Sequence, residues 1–141
     1  MNHEAFITTA RSYVGVPHVH RGRDRNGVDC VGLLVLASRA AGFPAVDCEA
    51  YSQAPDGVTL LARLRENGLN EVPSPRPGAV GVFWIRKNRL PQHVAIFASH
   101  AGVSALTMIH SYAGSHFVVE HRFDKRWAER LCCVLDFPEG N

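Results

Sequence analysis

Apolar residues recur at helical spacing twice in the first third of the chain. Over residues 4–14, Phe6, Ile7, Ala10 and either Tyr13 or Val14 share one face, which predicts a first helix. A second apolar helical pattern begins abruptly at Cys30 and runs to Ala41, where Gly42 and then Pro44 stop it. Between the two lies a loop, residues 16–29, rich in Gly, Arg and His. A shorter helix is predicted over 58–66, closed by Gly68. The stretch Val72-Pro73-Ser74-Pro75-Arg76-Pro77-Gly78 is barred from regular structure, because each proline removes a donor and fixes φ. It reads as a connector within one domain, since neither side is long enough for a comfortable separate core.

Past that connector the pattern shortens to strand-like runs. These cover 79–85, 94–98, 106–110, 117–121 and 131–137, with a polar turn at 86–91 and Ala113-Gly114-Ser115 between the third and fourth. Helices followed by strands predict an α+β fold: N-terminal helices packed on a mostly antiparallel sheet of about five or six strands. One domain over residues 1–141 is expected. No internal repeat or low-complexity segment interrupts it.

Composition narrows the field modestly. The 141 residues are 46% hydrophobic and 20% charged, which suits a globular core. A formal charge of +2 gives no strong pull toward nucleic acid or an anionic membrane surface, and neither partner is expected. The start, Met1-Asn2-His3-Glu4-Ala5-Phe6, lacks the basic region and apolar core of a secretion signal. No apolar run reaches the roughly 20 residues that span a bilayer. The expectation is a protein made in the cytoplasm and not exported by a leader of its own.

The chemistry centres on one of four cysteines. Cys30 stands where a polar loop ending in Asp29 gives way to a helix, so its thiol falls in the first turn. Free N–H groups and the helix dipole there favour the thiolate, and early alkylation is expected. Cys132 and Cys133 are adjacent, so a regular strand would point them to opposite faces, as small core-filling residues. Cys48 has no evident role. Without any Cys-x-x-Cys pair, a zinc ribbon or a thioredoxin-like redox site is disfavoured.

A thiol nucleophile needs an imidazole to take its proton and a third group to orient that imidazole. Of eight histidines, His93 directly precedes a strand and His110 lies in or at the end of the next, so antiparallel pairing would bring them together. Taken singly, each reads better as a solvated strand-end histidine. Arg21, Arg23 and Arg25 crowd the loop before Cys30, either to attract carboxylates or as a solvated loop partly neutralised by Asp24. Arg86, Lys87 and Arg89 read as a solvated turn, Trp84 and Trp127 as packing residues, and Glu120 and His121 as an exposed strand end. His18, His20, Cys30 and a later histidine form a competing zinc set, but its fourth ligand has no obvious source, and no metal or other cofactor is expected.

The ordered pieces Asp29-Cys30-Val31-Gly32, Pro77-Gly78, His93-Val94-Ala95-Ile96-Phe97 and Ile109-His110-Ser111 resemble the NlpC family of papain-like cell-wall cysteine peptidases. The likeness extends over nearly the whole chain. Gly15-Val16-Pro17-His18-Val19-His20, Ile109-His110-Ser111-Tyr112 and Val118-Val119-Glu120-His121-Arg122 are similar to its phage-tail branch. The resemblance implies a papain-like domain with Cys30 as nucleophile, His93 as base and His110 as its orienting partner. The implied substrate is a peptidoglycan stem peptide, cleaved between D-glutamate and a diamino acid. The implied setting is the host wall, with other phage tail proteins as partners. Family members carry a tyrosine twelve residues before the cysteine, and His18 stands there, which implies an oxyanion or substrate contact. Arg21 replaces a usual glycine, Val31 a usual serine and Ala79 a frequent aspartate. Arg21 and Arg23 are the implied substrate contacts beside His18. The alternative is a tail structural or adaptor module that keeps the fold without the activity.

Overall fold

The structure is a computed structural model that describes residues 2–43, 57–86 and 91–138. Pro44, Cys48, Lys87 and Arg89 lie outside the described residues. The first helix, α1 (His3–Ser12), is capped by the Asn2 side chain, which accepts from the N–H groups of Glu4 and Ala5 at 2.9 and 3.2 Å. Its apolar stripe is Phe6, Ala10 and the following Tyr13, all buried, while Val14 is 46% exposed. That resolves the alternative on this face in favour of Tyr13.

The loop before Cys30 contains a small hairpin, β1 (Arg23–Asp24) against β2 (Gly27–Val28). It leads directly into α2 (Cys30–Ala40), whose N-cap is Asp29. Helix α3 (Gly57–Glu66) follows, then β3 (Asn70–Val72), β4 (Val80–Phe83), β5 (His93–Ala98), β6 (Thr107–Ser111), β7 (Val118–Arg122), the short α4 (Lys125–Ala128) and β8 (Leu131–Asp136). The strands β3 to β8 make one six-stranded sheet in the order β3-β8-β4-β5-β6-β7, antiparallel at every pairing. The α+β architecture expected from the sequence is the one observed.

Strand alternation gives the sheet two buried faces. Val80, Val82, Val94, Ile96, Ile109 and Leu135 join Phe6, Ala10 and the apolar side of α2 in the larger core. On the reverse, Phe83, Phe97, Met108 and Val134 gather around Trp127 from α4. The central strands β4 and β5 are buried along their whole length, because both faces are covered.

One strand departs from alternation. Val82 pairs with Cys133 but the next residue, Phe83, pairs with Leu131, so Cys132 is the extra residue of a β-bulge. Both Cys132 and Cys133 consequently pack against the helix-side core, half-buried, and not on opposite faces as regular strand geometry predicts.

Candidate active site

Asp29 builds the platform on which Cys30 stands. Its Oδ1 accepts from the Gly32 N–H at 2.7 Å and from Arg23 Nη1 at 2.9 Å, and its Oδ2 accepts from the Arg21 N–H at 2.8 Å. The carboxylate is only 4% exposed. Arg21 takes φ +63°, a left-handed conformation costing a side-chain-bearing residue about 1–2 kcal/mol, which its N–H bond to Asp29 helps to offset. Gly32 is required by contact: a Cβ there would stand 2.3 Å from the Gly22 carbonyl oxygen and 2.9 Å from Arg23 Nη1. The loop thus folds tightly over the first turn of α2 and presents Cys30 at its start.

The arginines of this loop divide. Arg23 is bound to Asp29 and to the Gly22 carbonyl at 2.9 Å. Arg25 turns toward α1, donating to the Ser12 carbonyl at 2.7 Å with its guanidinium 3.7 Å above the Tyr13 ring. Arg21 contributes its backbone to Asp29. His20 Nδ1 lies 4.0 Å from Asp29 Oδ2. Arg86 is exposed, as a turn residue should be.

The histidines form a line. His93 opens β5 and His110 sits inside β6, on the reverse face of the sheet with Phe83 and Trp127. His93 Nε2 lies 2.7 Å from His110 Nδ1, and both residues are buried. His110 Nε2 lies 2.8 Å from His121 Nε2 on β7, and His121 Nδ1 lies 2.9 Å from the Arg122 carbonyl. Trp127 packs across all three rings, its centroid 4.9 Å from His110 and 5.9 Å from each of the others. His93 and His110 are therefore brought together as expected. His121 is drawn in unexpectedly, because its place depends on the β6–β7 register, which strand periodicity does not reveal. Cys30 packs against the helix-side core, and its sulfur lies by the N–H of Val94, the residue after His93.

The electrostatics follow from enclosure. Burial, followed by the nearby Asp29 carboxylate, pushes the Cys30 thiol up to about 12, against the pull of the N–H groups of Val94, Val31 and Cys30 itself. Cys30 keeps some exposed surface, but its sulfur is ringed by protein atoms. The thiol at rest is neutral, not the thiolate its helix position suggests. Burial, with a smaller push from His18, brings His93 down to about 3. Burial and the flanking His93 and His121 bring His110 down to about 2.

This depression has a sign for stability. An unfolded histidine takes a proton below about 6.5, whereas the folded chain refuses it at both positions. Stability is thus full above the unfolded value and falls as the pH drops from about 6.5 toward 3. The steepest slope for two protons is about 2.7 kcal/mol per pH unit. Urea unfolding is expected to show a loss on the order of 3 kcal/mol between pH 7 and pH 5. His110→Asn should flatten that dependence by about half, whereas equal stability at both pH values in the parent chain would contradict neutral burial.

His18 also differs from expectation. The Ser111 hydroxyl donates to the Val28 carbonyl at 2.7 Å, so its oxygen accepts from His18 Nδ1–H at 2.8 Å. Burial lowers the His18 pKa, favouring the neutral ring. Neutral His18 then has a bare Nε2 that can accept but not donate. It does not reproduce the oxyanion-donating hydroxyl implied for this position. Among the described residues, no group of three or more His, Cys, Asp or Glu is arranged to hold a metal ion, so the His18, His20 and Cys30 set does not converge.

A thiol at a helix start, set against a sheet that carries a buried histidine pair, defines a papain-like α+β domain of the NlpC/P60 fold. Solved structures agree on that fold across most of the chain. An NlpC/P60 family protein from Bacillus cereus superposes with TM-score 0.69 at 18% identity, over 95% of this chain and 39% of its own. The NlpC/p60 domain of the peptidoglycan hydrolase SagA gives 0.65 at 20% identity, over 97% of this chain and all of that domain. NlpC1 from Trichomonas vaginalis gives 0.68 at 13% identity, over 96% of this chain and 43% of its own. The chain thus spans well under half the length of the Bacillus and Trichomonas proteins. No protein-family model matches the sequence. No curated protein matches it either.

Proposed function

We propose that this chain is a cysteine peptidase that hydrolyses an amide bond in peptidoglycan stem peptides. The observation that carries this reading is the joint placement of Cys30 at the α2 N-terminus, beside β5, and the 2.7 Å His93–His110 pair that begins on β5. The SagA domain, matched over its whole length, belongs to a peptidoglycan hydrolase and supports the substrate class.

In this reading the Cys30 sulfur attacks the scissile carbonyl carbon while its proton passes to His93 Nδ1. A neutral thiol and a neutral imidazole are the correct starting pair for such a coupled transfer. N–H groups at the start of α2 stabilise the oxyanion. Collapse breaks the C–N bond, and His93 returns the proton to the departing amine. Water then attacks the Cys30 thioester, again losing its proton to His93, which releases the acid and restores the thiol. His110 holds the His93 ring in place throughout.

The finer proposal is cleavage between D-glutamate and a diamino acid, at a host wall reached as part of a phage tail after synthesis in the cytoplasm. Other tail proteins would be the partners. The residues Gly15 to His20, Ile109 to Tyr112 and Val118 to Arg122 support that branch by their resemblance. Digestion of purified sacculi of several wall chemotypes, read by mass spectrometry, tests the reading. The expected products are stem fragments with a new D-glutamate carboxyl and a new diamino-acid amine. Intact sacculi of every chemotype would overturn it.

A further inference from the structure

We infer that His121 is a fourth member of the site, a positioning residue that sets which nitrogen of His93 carries the proton. This rests on His93 acting as the base, but it can be measured without substrate. The starting point is the Arg122 carbonyl, 2.9 Å from His121 Nδ1. A carbonyl oxygen only accepts, so His121 Nδ1 bears the hydrogen.

The remaining assignments follow along the line. A neutral His121 has its lone pair on Nε2, so across 2.8 Å it accepts from His110 Nε2–H. His110 then has its lone pair on Nδ1, and across 2.7 Å it accepts from His93 Nε2–H. That leaves the lone pair of His93 on Nδ1, the nitrogen required to receive a proton. His93 Nδ1 has no hydrogen-bond partner among the described residues, and no fully enclosed side-chain nitrogen or oxygen there lacks one. That nitrogen is therefore not wholly enclosed, although the residue as a whole is buried.

The opposite neutral arrangement fails at one end. With a hydrogen on His93 Nδ1, each ring in turn reverses, and His121 Nδ1 faces the Arg122 carbonyl lone pair to lone pair. That arrangement forfeits the hydrogen bond at the exposed end of the line, where nitrogen and carbonyl oxygen stand 2.9 Å apart. A single backbone carbonyl thus orients three imidazoles. Packing fixes the line as firmly as hydrogen bonding, because His110 is fully enclosed and Trp127 spans all three rings.

Nitrogen-15 NMR of the whole chain with labelled histidine tests this at neutral pH. The expected spectrum assigns His93 and His110 as Nε2–H tautomers and His121 as the Nδ1–H tautomer. A His93 Nδ1–H tautomer in the unmodified chain would overturn the inference and needs no variant. His121→Gln keeps a carbonyl that can accept from His110 and should retain both tautomers, with turnover within a few-fold. His121→Phe keeps bulk against Trp127 but removes the acceptor. It should mix the His93 and His110 tautomers and lower kcat about 10- to 100-fold with little change in KM, the scale known for partners that orient metal-bound imidazoles. Unchanged tautomers in the Phe variant would also overturn it. Should the chain cleave no wall peptide yet show the expected tautomers, the functional reading fails and the role of His121 stands.

Discussion

Cys30→Ala is expected to lower stem-peptide hydrolysis on the order of 10⁶-fold, the scale on which removing the nucleophile disables a catalytic triad. The fold should survive. Alanine is the best helix former, the first turn is held by Asp29 and not by Cys30, and the change removes only one sulfur atom from the edge of the core. Circular dichroism and urea midpoint should match the parent chain within about 1 kcal/mol. That separation makes the result specific: activity disappears while stability does not. A variant retaining more than a small percentage of parent turnover would mean that another group attacks the carbonyl.

Asp29→Ala should have the opposite profile, with stability as the first casualty. The variant leaves the partly buried Arg23 guanidinium without its carboxylate and strips the acceptor from the N–H groups of Gly32 and Arg21. Removing one partner of a buried pair costs about 3–5 kcal/mol, and the lost N-cap is part of that sum. Arg21, with φ +63°, would also lose the bond that helps to hold it in the left-handed region. Asp29→Asn retains an acceptor for Gly32 and should lose less. It also removes a negative charge that raises the Cys30 thiol, so Cys30 should alkylate faster at a fixed pH even as stability falls. Urea unfolding and iodoacetamide kinetics on the same samples check both signs. Slower alkylation in the Asn variant would contradict the role given to the Asp29 charge.

Much of the fold was legible because the chain's strongest signals are local. The stripe of Phe6 and Ala10, the polar loop ending at Asp29 and the apolar run after Cys30 mark α1 and α2 within one or two residues of where they lie. The strands β4 to β8 also fall where short apolar runs predict them. What escaped are elements too short or too exposed for a period: the hairpin β1–β2, the edge strand β3 and the four-residue α4. The bulge at Cys132 escaped too, since only the pairing register with β4 reveals an extra residue.

The site shows the same division. Cys30, His93 and His110 could be nominated because helix starts and strand ends can be read from sequence, and the structure joins the two histidines at 2.7 Å. The states of these groups could not. A helix start argues for thiolate, but enclosure outweighs it and the thiol is neutral. The identity of His18 suggested a donor, but Ser111, 93 residues away along the chain, turns its remaining nitrogen into an acceptor. His121 looked like a strand-end residue until the β6–β7 register set it against His110. Protonation is decided by neighbours distant in sequence, and periodicity does not report them.

The central claim is that the Cys30 sulfur forms a covalent bond to the carbonyl of a wall peptide. Its most direct test is acid quenching of the chain during turnover of a defined stem peptide, followed by intact-mass measurement and fragmentation. A mass increase equal to the acyl half of the peptide is expected, located on Cys30 as a thioester and absent from Cys30→Ala. Hydrolysis that continues undiminished in Cys30→Ala, with no adduct in the parent chain, would contradict it.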